Sequence, residues 1–130
     1  MSDLISGMTA ASSGMTVQTA RLRIVAENIA NADTPGYRRK LISFETMVDA
    51  PGDGRAVAVA RVDTDQAPLE KIYDPAHPLA DGEGYYDGSN VSMMIEIADA
   101  RQAQRSYEAN LRMFDQSRRM LTSLFELLRR

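Results

Sequence analysis

Asn28-Ile29-Ala30-Asn31-Ala32-Asp33-Thr34-Pro35-Gly36-Tyr37-Arg38-Arg39 closes one long helical pattern and opens a middle that is not helical. Asn28 and Asn31 stand three apart, so on a helix they share a face. Pro35 cannot continue a helix, and Thr34 before it is pushed towards extended geometry. Pro35-Gly36 suits the central positions of a type II turn, because glycine takes positive φ without steric cost. The chain therefore stops, turns and leaves in a new direction here. The asparagines have two readings. They are ordinary residues of a helix C-terminus, where Asn tolerates left-handed geometry, or they form a polar junction where the helix meets the non-helical middle.

On the N-terminal side, Met8, Ala11, Met15, Gln18, Leu22, Val25 and Ile29 step by alternating threes and fours. This seven-residue repeat, with one polar member, predicts a helix packed along a seam. A second stripe, Ala10, Val17 and Ile24, predicts more than one neighbour. Gly7 and Gly14 each cost roughly 1 kcal/mol of helix propensity relative to alanine. Either the helix approaches a partner closely there, or its start is frayed as far as Ser13.

On the C-terminal side, the pattern from Lys40 to Gly88 changes. Leu41–Phe44 and Val57–Val62 read as short strands and Leu69–Tyr73 as a third, separated by turn-rich runs at 49–54 and 63–68. Residues 74–88, rich in Asp, Pro and Gly, predict an ordered but irregular loop. Helical periodicity returns at Ser92, the expected N-cap, with Glu96 placed to favour the helix dipole. Met93, Ile97, Ala100, Gln104, Tyr107, Leu111, Phe114, Arg118, Leu121, Phe125 and Leu128 form its seam, and Met113, Met120 and Leu127 a second stripe. The expected organisation is an N-terminal helix over 1–34, a turn and small β region over 35–90, and a C-terminal helix over 91–130. Helices of roughly 45 and 55 Å are rods, out of scale with a compact globule of 130 residues.

Composition narrows the function. Without cysteine there is no disulfide, zinc thiolate or thiol nucleophile. Eight methionines and no tryptophan favour adaptable helix contacts over a rigid aromatic core. Residues 41–90 carry three basic against ten acidic side chains, between two mildly basic ends. That profile argues against nucleic-acid binding. The start, Met1-Ser2-Asp3-Leu4, predicts no cleaved secretory signal. His77, between Pro75 and Pro78, has no second imidazole, so a rigid loop is preferred over a metal site. No catalytic triad order, phosphate loop or H-E-x-x-H is present, and no cofactor or small-molecule substrate is expected. Polar seam residues Gln18, Gln104 and Arg118 read either as tolerated defects or as setters of register between subunits. Arg38-Arg39-Lys40 is expected to pair with the acidic middle of the same or an adjacent chain.

At Asn28, Asn31, Thr34, Pro35, Gly36 and Tyr37, with Ser13-Gly14-Met15-Thr16 and Ala20-Arg21-Leu22 before them, the sequence resembles the flagellar rod, hook and hook–filament junction proteins. Tyr73-Asp74-Pro75-Ala76-His77-Pro78, Gly84-Tyr85 and Asn90-Val91 narrow the resemblance to the basal-body proximal rod. One departure is visible: Ser89 stands where a proline usually precedes the Asn-Val pair. The resemblance implies a non-enzymatic subunit that is mainly α with a small β insert. Its terminal helices would form an antiparallel coiled coil, and its copies a helical tube spanning the periplasm and carrying motor torque. It further implies export through the flagellar type III apparatus, and contacts with itself, other rod subunits and the base at the membrane ring. Met15, Leu22, Val25, Ile29, Tyr107, Leu111, Phe114 and Leu121 are the expected subunit-packing residues. Surplus apolar stripes also predict disordered ends in the isolated chain. The competing reading is a cytoplasmic coiled-coil adaptor that dimerises through the same seams.

Overall fold

Both periodic segments fold as continuous helices with a small β region between them. The computed structural model describes residues 2–47 and 56–130. In chain order the elements are α1 (Ser2–Ala30), β1 (Lys40–Thr46), β2 (Val57–Thr64), β3 (Lys71–Tyr73), β4 (Tyr85–Asp87) and α2 (Met93–Leu128). α1 is helical from Ser2, so the start is not frayed. At 29 and 36 residues the helices run about 44 and 54 Å. Among the described residues no helix is long and apolar enough to cross a membrane.

The helices lie antiparallel, and the contacts that show it fall one heptad apart. A Cβ at Gly7 would sit 3.5 Å from Ser117 Oγ, and one at Gly14 only 2.6 Å from Asn110 Oδ1. Further along, Arg21 pairs with Asp99 and Asn28 donates to Glu96. Positions 7, 14, 21 and 28 of α1, one heptad apart, therefore meet 117, 110, 99 and 96 of α2 in descending order. Close approach explains the glycines: at Gly14 a methyl group would displace the Asn110 side chain.

This contact face corrects the sequence-based seam on α2. Met93, Ile97, Gln104, Leu111, Arg118, Phe125 and Leu128 are exposed, and α2 instead turns Glu96, Ala103, Asn110 and Ser117 towards α1. The closest face lies one position earlier, so the row at 97, 104, 111, 118 and 125 is rotated out, while Ala100, Tyr107, Phe114 and Leu121 stay half-buried. Apolar periodicity reports which faces avoid water in the final environment. Closeness of approach selects small residues, and these carry little hydropathy signal. On α1 the secondary stripe holds, with Val17 and Ile24 buried. α1 is the spine: α2, β1 and β2 all pack on it, and α2 packs on no other of these elements.

β1 and β2 form an antiparallel ribbon from Lys40↔Thr64 to Thr46↔Val57, with a bulge between Ser43 and Phe44. The Ser13 hydroxyl accepts the Val57 amide at 3.1 Å, pinning β2 to α1. The turn expected at 49–54 lies outside the described residues. β3 is shorter than its predicted run and pairs with β4, Ile72 opposite Tyr86, so residues 74–88 are not wholly irregular. Three residues are too few for alternation to show in sequence. Asp81 builds the return instead, its carboxylate accepting the amides of Glu83 and Tyr85 at 2.9 and 3.0 Å. His77 stacks on Tyr86, centroids 3.8 Å apart, and its Nδ1 accepts the Leu79 amide at 3.1 Å.

Candidate functional site

α1 ends at Ala30 because Pro35 approaches and the chain has already begun to turn. The Asn31 amide still bonds Glu27 O at 3.1 Å, and its side chain donates to the same carbonyl at 2.9 Å. The Thr34 hydroxyl closes on Asn31 Oδ1 at 3.1 Å. Gly36 has φ 75° and the Tyr37 amide donates to Thr34 O at 3.2 Å, both marks of the expected type II turn. The Gly36 amide then reaches Asp87 O and Gly88 O, at 3.2 and 3.1 Å. The turn thus docks the end of α1 against the β3–β4 hairpin before the chain enters β1.

Asn28 sits one turn before this point, only 1% exposed. Its Nδ2 donates to Lys40 O at 3.0 Å and to Glu96 Oε2 at 3.3 Å. Its Oδ1 accepts the Tyr37 hydroxyl at 2.8 Å and the Lys40 amide at 2.9 Å. Both donors and both lone pairs are used, which is all an amide side chain has. Against Lys40, Asn28 behaves as one residue of an added strand, docking the start of β1 onto α1. Asn31, by contrast, bonds only within its own turn. The two asparagines that share a face do different work.

Glu96, fully buried in the first turn of α2, accepts Arg39 Nε as well as Asn28 Nδ2. A second Arg39 nitrogen lies 3.8 Å from Asp65 Oδ2. A buried carboxylate is tolerable because a cation and a further donor replace its lost water. Arg39 thereby joins the acidic middle within its own chain. Its backbone amide goes to Asn90 Oδ1 at 2.6 Å, and Asn90 Nδ2 bridges Asp65 O and Ala67 O at 3.0 and 3.1 Å. Ser89, standing in the place of the usual proline, donates its hydroxyl to Ala32 O and is buried. That bond holds the approach to α2 against the end of α1, a tether that proline lacks. Ser92 sits at the N-cap but makes no side-chain cap bond.

Lys40 bonds Glu27 at 2.8 Å; this bond lowers the Glu27 pKa and raises that of Lys40. Burial raises the Tyr37 pKa, and its hydroxyl donates to Asn28. The charged and polar groups of the site face one another, and together they fix where two helices and two hairpins meet. Among the described residues no cluster of three or more His, Asp or Glu is arranged to hold a metal ion.

Of the expected packing residues, Val25 is buried, Leu111 is exposed, and Met15, Leu22, Ile29, Tyr107, Phe114 and Leu121 are half-buried. Among the polar seam residues, Gln104 and Arg118 are exposed, and Oε1 of the half-buried Gln18 has no donor. Glu96, Arg39, Ser89 and Asn90 are joint residues that the sequence reading gave no such part. The one signal for Glu96 is its heptad spacing from Ala103, Asn110 and Ser117.

Two long terminal helices around a small β insert, clamped by an asparagine joint, define an elongated helical subunit. The chain belongs to the flagellar basal-body rod protein family. Residues 8–38 match the family described as "Flagella basal body rod protein", and residues 83–127 that described as "Flagellar basal body rod FlgEFG protein C-terminal". The flagellar basal-body rod protein FlgC of Agrobacterium fabrum is 42% identical, across 99% of this chain and 98% of its own. FlgC of Borreliella burgdorferi is 34% identical across 96% and 97%, and FlgC of Escherichia coli O157:H7 36% across 90% and 92%.

Proposed function

We propose that the chain is a non-enzymatic structural subunit of the flagellar proximal rod, exported by the type III apparatus and built into a helical tube that transmits torque. α1 and α2 form an antiparallel coiled coil that packs against the helices of other rod subunits, and the β region lies further out. Asn28, Asn31, Thr34, Pro35, Gly36 and Tyr37 form the joint through which load passes between the helices and the β region.

One observation carries this reading beyond family membership: the distribution of apolar surface is inverted. Among the described residues the buried hydrophobic ones are Ala11, Val17, Ile24, Val25, Ala56 and Ala103, half of them alanine. Meanwhile α2 alone exposes eleven large hydrophobic residues, Met94 at 84% and Leu128 at 74% among them. Apolar surface on this scale favours burial by about 25 cal/mol per Å², and a tube of like subunits provides it. The test is fractionation of a motile strain carrying a tagged copy. The chain should co-purify with detergent-resistant basal bodies, and its deletion should leave cells non-motile and without hooks. Recovery only as a cytoplasmic dimer would overturn the rod reading and favour the adaptor.

A further inference from the structure

The second apolar stripe of α2, Met113, Met120 and Leu127, is not used by the fold. Its members stand one heptad apart and are 57%, 50% and 64% exposed. Met120 and Leu127, with Leu124, line an open groove of about 380 Å³ along one face of the helix. Gln116, Arg119 and Ser123 complete that lining, and Arg119 is turned to Asp115 at 3.0 Å. The surface the groove offers is almost wholly apolar.

A thioether left in water is open to chemistry that a covered one escapes. Hydrogen peroxide transfers one oxygen atom to the sulfur. An S–O bond forms and the O–O bond breaks; sulfur is oxidised by two electrons, and the peroxide is reduced to water. The sulfoxide that results is polar and chiral, where the thioether was flexible and apolar. The fold grades the methionines by access. Met47, Met93, Met94, Met113 and Met120 are exposed, whereas Met8 and Met15 on α1 are half-buried. Met94 is the most open of them, but its groove already holds Arg101, Gln102 and Arg105, so one more dipole changes little there. In the Met120 groove a sulfoxide would interrupt an apolar strip.

We propose that Met113 and Met120 form a peroxide-sensitive modification site, at which oxidation leaves the subunit folded but bars it from assembly. The fold survives because neither side chain is buried within the chain, so the new dipoles stay in water. Assembly fails because packing this strip against other rod subunits takes the sulfoxides out of water with no donor to replace it. Enzymatic reduction of the sulfoxides restores the thioethers, so the site acts as a reversible gate on subunits not yet built in. The proposal rests on the rod reading and adds a chemical condition for entry.

Treating the purified full-length chain with hydrogen peroxide tests the chemistry. Peptide masses should gain one oxygen at Met113 and Met120 about fivefold faster than at Met8 and Met15, with circular dichroism unchanged. In cells, glutamine stands in for the sulfoxide. Met113→Gln with Met120→Gln should lower basal-body incorporation of a tagged chain about tenfold, the scale of one polar group buried without a partner. Met94→Gln should stay within about twofold of the parent, as a surface change does. Met113→Leu with Met120→Leu keeps the volume but not the sulfur, and should go on incorporating in peroxide-treated cells after the parent declines. Equal oxidation at all these methionines, full incorporation of the double glutamine chain, or the same peroxide loss in the double leucine chain would each overturn the gate while leaving the rod reading in place. Absence of the parent chain from basal bodies would remove both.

Discussion

The two ends of α2 are built on opposite principles. At its start, Glu96 is fully buried and meets Arg39 and Asn28, and every hydrogen-bonding position of Asn28 is occupied. At its other end, Leu124, Phe125, Leu127 and Leu128 are exposed, beyond the point where Gly7 has already met Ser117. On its Glu96 face the first end is finished within the chain, while Met93, Met94, Ile95 and Ile97 on its other faces stay exposed. The second awaits something outside it. Cohesion inside the subunit therefore comes from close approach and polar bonds, and most of the large apolar side chains of α2 stay exposed. A protein stable alone would be expected to divide its residues the other way.

The largest effect is expected at the finished end. Arg39→Met strands Glu96 as a buried carboxylate without its cation, and should cost ~3–5 kcal/mol. Hydrogen exchange at the Lys40 amide, bonded to Asn28 Oδ1 at 2.9 Å, would report it directly. Adding Glu96→Gln should return part of the loss, because the stranded charge is gone. If Arg39→Met leaves exchange unchanged, the joint is not a finished unit and the contrast between the ends fails.

Asn28→Asp should come next, at about 2–3 kcal/mol, although it changes only one atom. The nitrogen that donates to Lys40 O and Glu96 is replaced by an oxygen, so two attractive contacts become repulsive in a buried place. Asn28→Ala avoids the repulsion but loses all four bonds, those from the Tyr37 hydroxyl and the Lys40 amide included, and should cost a similar amount. A milder Asp than Ala, measured by urea unfolding, would show that water reaches the site and that its geometry is looser than the bond lengths indicate.

Much of this architecture was legible in the sequence. Met8 through Ile29 and Met93 through Leu128 announced two long helices, and Pro35-Gly36 announced the turn between them. Asn28 was readable as a polar junction. The facing of the helices was not readable, for a physical reason. Hydropathy sums the demands of every neighbour a residue will have, and under the proposed assembly most of those on α2 lie outside this chain. Glu96 shows the limit most clearly: as a sequence symbol it fits an exposed helix start, and only the arrival of Arg39 from 57 residues away makes it a buried one. β4 was hidden because Tyr85–Asp87 is shorter than one full alternation.

Between the two ends, the helix contact itself should respond more mildly. Gly14→Ala would place a methyl group 2.6 Å from Asn110 Oδ1. The Asn110 side chain itself donates to Ser106 O at 2.8 Å, so it must give up that bond to move. The expected cost is about 1–3 kcal/mol, with much of it relieved by Asn110→Ala. Gly7→Ala should have the opposite sign. Its Cβ meets Ser117 Oγ at 3.5 Å, an ordinary contact, so a gain in helix propensity of about 0.5–1 kcal/mol survives. Thermal unfolding of the pair decides whether the heptad row tightens from Gly7 towards Gly14. Equal effects would mean that it does not.

The smallest effect on the isolated chain should come from the unfinished end, and there it is most informative. Phe125→Glu removes an exposed aromatic from the end of α2, so subunit stability should change by no more than about 0.5 kcal/mol. If the apolar end of α2 is reserved for neighbours, the same substitution should abolish motility and remove the chain from basal bodies. Joint variants would fail differently, through loss of the folded joint before assembly begins. The separating measurement is unfolding of the purified protein beside incorporation in cells. Phe125→Glu should leave the first intact and eliminate the second, whereas Arg39→Met should damage both. A Phe125→Glu strain that swims normally would mean that the exposed apolar end is incidental, and the division of labour along α2 would have to be abandoned.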